Sequence, residues 1–302
     1  KDDFVIHLGS QGKSFNTVKN YRNDIGCFLN YLYAKQNSYI LKDFTIKSVM
    51  AYSAYLDNKY ASDNSKRRRV QALRLFFDFL VISKKWPDNP IRKIPVSPKK
   101  LDLPNPTEYL SIIRLKNYLE QIKDTSKGLE QLNALRNIII FYMVYGAGLK
   151  VSDISNIKLK HIIEGNEGYR VMVIPNKIDP YTIALPKQFS SYFLEYTEKL
   201  ESLKKQFKLN FDHLCYNANA YRILSGGISP RGLELTFKNL SDQLKIKITA
   251  KTLRQSCILK WIYLDKPASS IKEWMGVKPS YSMKLYNDYF KNNKKDCAFT
   301  DI

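Results

Sequence analysis

Residues 248–262 read ITAKTLRQSCILKWI, and residues 271–290 read IKEWMGVKPSYSMKLYNDYF. Arg254 lies at the start of an otherwise apolar helix, where an unpartnered charge is rare. Tyr286 follows Val277 by nine residues. A surface ion pair is the alternative role for Arg254, and Tyr286 is by position one of 21 tyrosines that could simply pack in a core. We interpret Arg254 as part of a functional site.

The segments before this stretch predict helices and one hairpin. Residues 168–186, GYRVMVIPNKIDPYTIALP, alternate around a turn at Asn176–Pro180 and predict a β-hairpin. Gly146 and Gly148 suit the end of a long apolar helix. Helices are predicted for 111–122, for 129–148, and from about 187 to the end apart from a loop around Gly226 and Gly227. The overall prediction is a mostly α fold with one small antiparallel β-sheet.

The first hundred residues predict three helices. Apolar residues recur at helical spacing in 14–36, 46–60 and 62–86, with Ser62 or Asn64 as an N-cap of the third. A basic cluster occupies the first turns of that third helix, where the helix dipole favours acids. We therefore expect the cluster to contact DNA phosphates, with a solvated face as the alternative. The basic cluster consists of Lys66, Arg67, Arg68 and Arg69.

A proline-rich stretch separates two parts of the chain. Helices cannot continue through it, and 302 residues exceed what one core usually serves. The prolines are Pro87, Pro90, Pro95, Pro98, Pro104 and Pro106. We predict an N-terminal helical domain at 1–93, a linker at 94–107 and a C-terminal domain at 108–302.

The net charge points to a polyanionic partner. The chain carries 49 Lys/Arg against 28 Asp/Glu, a formal charge of +21, and both predicted domains are basic. Double-stranded DNA lying between two basic domains explains this distribution, and a general solubility bias is the alternative. An anionic membrane is disfavoured because no basic amphipathic helix stands out. The N-terminus does not resemble a signal peptide, and the apolar run 138–144 is too short to span a bilayer, so we expect a cytoplasmic protein.

Cysteine and histidine usage gives no support for a metal site or a disulfide framework. The cysteines Cys27, Cys215, Cys257 and Cys297 form no CxxC pair, and the three histidines are scattered. We expect reduced thiols, no metal and no cofactor.

Two N-terminal segments resemble the core-binding domain of the tyrosine recombinase / phage integrase family. Residues 17–32, TVKNYRNDIGCFLNYL, match its T-x-x-x-Y-x-x-D-x-x-x-F type of first helix. Residues 65–94 match a helix that ends before an Asn-Pro pair, here Asn89 and Pro90.

The C-terminal segments resemble the catalytic domain of the same family, in its Xer-like form and with a degenerate catalytic set. Residues 145–162, YGAGLKVSDISNIKLKHI, resemble the segment with the first catalytic arginine, which is Lys150 here. The hairpin resembles the one that carries the catalytic lysine, at Lys177. The H-x-L-R-H box keeps Arg254 but has Lys251 and Gln255 for its histidines. Gly276 is kept, Val277 replaces a histidine or tryptophan, and Tyr286 stands at the position of the nucleophile.

The resemblance implies a two-domain, C-shaped DNA clamp with a SAM-like helical domain and a catalytic domain. It implies site-specific recombination through a 3′-phosphotyrosine intermediate, without metal or ATP. Tyr286 is the expected nucleophile, Arg254, Lys150 and Lys251 the expected phosphate-binding cations, and Lys177 the expected acid. The expected partner is double-stranded DNA, bound by a dimer per site and a tetramer in synapsis, with an accessory directionality factor left open.

The departures from the family pattern leave an alternative. Lys150 offers a point charge in place of a bidentate fork, and Val277 can donate no hydrogen bond. A catalytically silent relative that binds DNA as an architectural or regulatory protein would have the same fold. Relaxation of the type IB topoisomerase kind uses the same chemistry and also stays open.

Overall fold

A computed structural model describes residues 1–41, 44–95, 102–175, 179–218 and 224–302. The chain divides into two compact units, Lys1–Asp102 and Leu103–Ile302, each with its own apolar core. The described secondary structure is mostly helical, and its antiparallel sheets are small. The domain boundaries predicted above stay a prediction, and residues 96–101 of the predicted linker lie outside the described residues.

The first unit is built from helices. They are α1 Asp2–Ser10, α2 Phe15–Gln36, α3 Ile46–Lys59, α4 Asp63–Ile82 and a 3₁₀ turn at Pro90–Lys93. Helices α2, α3 and α4 occupy the three predicted segments, although α4 ends at Ile82, four residues early. Helix α1 was not predicted. It buries only Phe4 and Leu8, one turn apart, and such a short apolar pattern gives a weak signal.

Aromatic rings join the helices of this unit. The ring of Phe28 on α2 meets Phe44 and Tyr52 edge-on, each at 5.2 Å between centroids. Phe44 also stacks on Phe77 of α4 at 5.0 Å. Edge-on and offset rings at these distances stabilise a core beyond the burial of their area. This contact set holds α3 and α4 against α2.

Two side-chain caps position the start of α4 and the start of the 3₁₀ turn in the first unit. Ser62 caps α4 by accepting from the backbone N–H of Ser65 at 3.4 Å, which confirms one of the two predicted caps. Asn89 accepts from the N–H of Ile91 and donates to the carbonyl of Arg74 and the carboxylate of Asp78. The Asn-Pro pair therefore closes the unit by tying the 3₁₀ turn to α4.

The second unit surrounds α10. Its helices are α5 Tyr109–Thr125, α6 Gly128–Phe141, α7 Val151–Ile154, α8 Phe189–Gln206, α9 Pro230–Leu244, α10 Ala250–Tyr263, α11 Ala268–Trp274 and α12 Lys284–Asn292. Residues 255–261 of α10 are all buried, so this helix is the centre of the unit. The predicted helix at 129–148 is present, but it is α-helical only to Phe141 in α6 and continues as a buried π turn, Tyr142–Gly146, which ends at the first of the two predicted glycines.

The described part of the second unit also contains five short strands. They are β1 Ile162–Gly165, β2 Gly168–Val173, β3 Tyr181–Ala184, β4 Tyr216–Ala218 and β5 Leu224–Gly226. The predicted hairpin is confirmed as β2 and β3, with Val171 opposite Ile183, and β1 extends it to three antiparallel strands. The pair β4 and β5 interrupts the region that was predicted as helices and one loop. Residues 176–178 of the predicted hairpin turn lie outside the described residues.

The last residues pack on their own unit. The hydroxyl of Tyr145 donates to the carbonyl of Thr300 at 2.8 Å, and Phe299 is buried. The ammonium of Lys260, itself buried on α10, donates to the carboxylate of Asp301 at 2.5 Å and to the carbonyl of Tyr145 at 3.2 Å. A buried lysine needs such partners. Across the described ranges, no helix combines the length and apolar character that a bilayer crossing requires.

Candidate active site

Arg254 projects from the first turns of α10, whose start is fixed by its cap. Thr249 accepts from the N–H of Thr252 at 3.1 Å, and the Thr252 hydroxyl accepts from the N–H of Thr249 at 3.0 Å. This reciprocal capping satisfies two of the free donors at the helix start. The backbone that carries Arg254 is therefore held by the cap on one side and by the buried body of α10 on the other.

The guanidinium of Arg254 is held by two backbone carbonyls. Its Nε donates to Gly148 at 2.6 Å and its Nη2 donates to Met275 at 2.8 Å. These carbonyls belong to segments 106 and 21 residues away in sequence. Among the described residues, no acceptor is found for Nη1. A guanidinium fixed in this way presents its remaining donor in one direction, as recognition of a phosphate oxygen requires.

Lys150 lies beside Arg254 and uses the same two segments. Its backbone N–H donates to Asp153 at 3.3 Å, and its Nζ donates to the carbonyl of Gly276 at 3.4 Å. Burial lowers the pKa of Lys150, and the charge of Arg254 lowers it further, while Asp153 opposes both. The arrangement therefore brings two cations together, which is costly unless an anion is bound between them.

Two glycines allow this approach. Gly148 has φ +62°, and a Cβ there would lie 2.5 Å from the ring of Trp261. Gly276 has φ +60°, and a Cβ there would lie 2.9 Å from the hydroxyl of Tyr181 and 3.7 Å from the Nζ of Lys150. Both positions combine a left-handed backbone with a close approach, so each requires glycine.

Tyr286 lies on α12 with 8% of its surface exposed. Burial raises the pKa of its phenol, while the charge of Arg254 and a hydrogen bond from Gln255 lower it. Gln255 accepts from the N–H of Asn105 at 3.2 Å through Oε1, which leaves its NH₂ group to face the phenol. The phenol oxygen is thus oriented by an amide and lies within the field of a guanidinium.

Tyr181 on β3 is a second tyrosine of the site. It is buried, and burial raises the pKa of Tyr181 to about 12. The carboxylates of Asp153 and Glu273 add to this rise, and the charge of Arg254 opposes it. No motif in the sequence predicts this residue. The available signal was the alternation of β3, because Tyr181, Ile183 and Leu185 all point to the buried face.

The structure brings Arg254, Lys150 and Tyr286 together, since the charge of Arg254 influences the pKa of both other groups. Lys251 is exposed on the first turn of α10, one turn before Arg254. Lys177 lies outside the described residues. Val277 is half-buried and packs against the core. Gln255 was quoted in the sequence only as a departure from a motif, and its contact with Tyr286 was not predicted.

The basic cluster of α4 is partly occupied by contacts within the first unit. Lys66 pairs with Asp57 at 3.0 Å and Asp63 at 3.4 Å, so acids do lie near the start of α4. Arg68 donates to the buried carboxylate of Asp24 at 2.9 Å. Burial raises the pKa of Asp24, and Arg68 opposes this shift.

Arg69 also contributes to the first unit. Its guanidinium lies 3.6 Å above the ring of Tyr60, 3.8 Å from Asp24, and donates to the carbonyl of Ser65 at 3.1 Å. Arg67 is half-buried beside these residues. The predicted DNA contact of the cluster stays a prediction, with Arg68 and Arg69 serving the fold as well.

The described residues contain no group of three or more His, Cys, Asp or Glu side chains placed to hold a metal ion. The cysteines Cys27, Cys215, Cys257 and Cys297 are free thiols.

Comparison with known sequences gives a consistent result. Residues 2–84 match the family "Phage integrase, N-terminal SAM-like domain". The chain is 22% identical over 294 residues to the tyrosine recombinase XerC of Anoxybacillus flavithermus, covering 92% of this chain and 88% of the relative. It is 23% identical over 305 residues to XerD of Listeria innocua, covering 98% and 95%. XerC of Staphylococcus haemolyticus is 29% identical over 169 residues, 54% of this chain and 52% of the relative.

Comparison with solved structures supports the fold. The XerH site-specific recombinase in a post-cleavage complex with its difH substrate gives a TM-score of 0.70 at 13% identity, over 94% of this chain and 79% of that one. A lambda integrase dimer bound to a core site gives 0.64 at 14% identity, over 100% and 78%. The fold is therefore a SAM-like helical domain followed by an integrase catalytic fold. Residues 2–84 thus resemble the N-terminal domain of phage integrases, and over most of its length the chain is similar to tyrosine recombinases, with Xer-like proteins among its homologues.

Proposed function

We propose that this protein carries out site-specific recombination of double-stranded DNA, with Tyr286 as the nucleophile. The observation that carries the proposal is the position of Arg254. Two backbone carbonyls hold its guanidinium beside the phenol of Tyr286 and the ammonium of Lys150. Tyrosine recombinase homologues over most of the chain support the same function.

The proposed cleavage step uses the groups of this site as follows. The phenol of Tyr286 gives its proton to solvent water, and its oxygen attacks phosphorus while the bond between phosphorus and the 5′-oxygen breaks. The Nη1 donor of Arg254 and the ammonium of Lys150 stabilise the charge on the non-bridging oxygens. The amide of Gln255 orients the attacking oxygen and favours its ionised form. The phosphotyrosine ester conserves the bond, so a second 5′-hydroxyl can reverse the step without ATP.

The departing 5′-oxygen needs a proton, and two lysines are proposed around it. Lys177, which stands between β2 and β3 in the sequence and lies outside the described residues, is the proposed general acid. Lys251 precedes Arg254 by one helical turn and is exposed, so we assign it a hydrogen bond to phosphate. Neither step calls for a metal or a cofactor.

Double-stranded DNA is the proposed substrate and partner. The formal charge of +21 suits a long polyanion, and strong salt dependence follows from it. Among the structural neighbours are a lambda integrase dimer on a core site and a lambda integrase tetramer on a Holliday junction. We propose the same order of assembly here, a dimer on each site and a tetramer in synapsis.

A catalytically silent DNA-binding role is the second candidate. The observation that favours it is the state of Lys150, whose Nζ donates to the carbonyl of Gly276 and whose pKa is lowered. A lysine that is less readily charged supports a phosphorane-like transition state less well than the arginine of the family pattern. Such a protein would bind the same sites and form no covalent complex.

Trapping the covalent intermediate tests the proposal. A binding site is first selected from random duplexes. A nick is then placed close to each candidate scissile phosphate, so that cleavage releases a short fragment with the new 5′-hydroxyl, and this fragment diffuses away. We expect a protein–DNA adduct that survives denaturant with wild type and not with Tyr286→Phe, which keeps the ring and removes the oxygen. Specific binding without any adduct would overturn the enzymatic proposal and leave the silent role. An adduct that persists in Tyr286→Phe would overturn the assignment of the nucleophile.

A further inference from the structure

The site contains a hydroxyl that the proposed cleavage step leaves unused. Tyr181 is 7% exposed on β3, and its hydroxyl lies against the turn at Gly276. In the described part of the chain, no hydrogen-bond acceptor for this hydroxyl is found. The hydroxyl of a buried tyrosine usually has a hydrogen-bond partner. Here the hydroxyl faces the same turn as the ammonium of Lys150.

The glycine at 276 preserves this arrangement. A Cβ at that position would meet the Tyr181 hydroxyl at 2.9 Å and the Lys150 ammonium at 3.7 Å, so both polar groups flank one small volume. The carbonyls of Met275 and Gly276 hold Arg254 and Lys150 respectively. The side chain of Val277, the next residue, is aliphatic and can donate no hydrogen bond. The Tyr181 hydroxyl and the Lys150 ammonium therefore face one volume in front of this turn, and Arg254 is hydrogen-bonded to the carbonyl of Met275 in the same turn.

We propose that Tyr181 is a second catalytic residue, whose hydroxyl donates a hydrogen bond to a non-bridging oxygen of the scissile phosphate beside Arg254 and Lys150. This proposal rests on the proposed function. It assigns the two buried tyrosines of the site different tasks, with Tyr286 as the nucleophile and Tyr181 as a neutral donor. No bond to Tyr181 forms or breaks, and its proton stays on its oxygen throughout.

The surroundings of the two phenols support this division. Burial and the carboxylates of Asp153 and Glu273 raise the pKa of Tyr181 to about 12, so it stays protonated and able to donate near neutral pH. Burial also raises the pKa of Tyr286, but the charge of Arg254 and a hydrogen bond from the amide of Gln255 oppose this rise, and Tyr181 has no such amide partner among the described residues. A hydroxyl kept protonated suits a donor, and an oxygen that accepts an amide hydrogen bond suits a nucleophile.

The test compares Tyr181→Phe with a matched control, Tyr142→Phe. Tyr142 is also buried in the second unit, and its hydroxyl is among the buried groups without a hydrogen-bond partner. We expect Tyr181→Phe to slow adduct formation on the nicked substrate by about 10²-fold, the usual effect of losing one donor to developing charge. Tyr142→Phe should stay within about twofold of wild type. Both variants should bind the intact site as wild type does.

A second readout separates donation from mere packing. The scissile phosphate is made as its two separate phosphorothioate diastereomers, each with sulfur in place of one non-bridging oxygen. Sulfur accepts hydrogen bonds poorly, so wild type should slow more on the diastereomer whose sulfur faces Tyr181. Tyr181→Phe should lose most of that difference. A variant that is slow but keeps the wild-type preference, or that is as fast as wild type, would overturn the proposal. Wild type without any adduct would instead overturn the proposed function.

Discussion

Arg254 donates from Nε to the carbonyl of Gly148 at 2.6 Å, and this hydrogen bond ties the central helix of the second unit to the loop that carries Lys150. Arg254 and Lys150 in turn both donate to the turn at Met275 and Gly276. The orientation of each cation thus depends on the backbone of the segment that holds the other. A change in the backbone at Gly148 should therefore affect the phosphate site as well as the fold.

Gly148→Ala should destabilise the protein and reduce adduct formation. The left-handed backbone disfavours alanine, and the ring of Trp261 lies 2.5 Å from the new Cβ. Strain and overpacking together should lower the free energy of unfolding by about 2–4 kcal/mol. Gly128→Ala is the control, because Gly128 has φ +59° with nothing within 4 Å and should lose only about 1 kcal/mol. Urea unfolding of both variants measures this, and equal losses would contradict the role of Trp261.

Much of the fold could be predicted from local patterns. Helices α2 to α6 and α10 have long apolar stripes or runs, and the β2–β3 hairpin alternates clearly around turn residues. The elements that were missed are short. Strands β1, β4 and β5 have three or four residues each, too few for alternation to be distinguished from chance. The π turn after Phe141 was missed because its residues are apolar on all sides, a pattern that also fits α-helix.

The site was predictable only where a motif fixed the spacing. Arg254, Lys150 and Tyr286 were found by their order along the chain, and the structure brings them together. Tyr181 and Gln255 enter the candidate site through contacts that form only when β3 and α10 pack, so no local pattern marks them. The same limit applies to Arg68, whose partner Asp24 lies 44 residues earlier in the chain.

Arg68→Ala should destabilise the first unit. It removes a charged hydrogen bond to Asp24, which is 2% exposed and has Arg69 as its other cation, at 3.8 Å. We expect a loss of about 1.5–3 kcal/mol in the free energy of unfolding at neutral pH. The loss should shrink toward acid pH, because burial raises the pKa of Asp24, Arg68 opposes that rise, and a protonated Asp24 needs the arginine less. Urea unfolding at several pH values tests this, with Asp24→Asn as the background in which Arg68→Ala should cost less. A loss independent of pH and of residue 24 would contradict it.

DNA binding should weaken steeply with salt. If the chain neutralises several phosphates, its affinity should fall by a factor of about 10³ or more between about 50 and 200 mM salt. Arg67→Ala should lower the slope of log affinity against log salt by about one if Arg67 contacts a phosphate. Fluorescence anisotropy on a labelled duplex gives both slopes. Lys199→Ala is the control for loss of one charge: Lys199 is half-buried on α8, and its ammonium lies 3.9 Å from Glu195. A flat salt response would contradict the polyanion model.

Replacing Lys150 should change the rate and its pH dependence. Lys150→Ala should slow adduct formation by about 10²–10³-fold while DNA binding changes far less, since one phosphate contact is lost among many. Burial and Arg254 lower the pKa of Lys150, so its charge is present below that pKa and is lost as the pH rises through it. Arginine stays charged, so the rate of Lys150→Arg divided by that of wild type should increase between about pH 7 and 10. Ionisation of Tyr286 is common to both proteins and largely cancels in the ratio. The measurement is the rate of adduct formation on the nicked substrate at each pH, with Tyr286→Phe as the blank. A ratio that does not change with pH would show that Lys150 does not act through its charge.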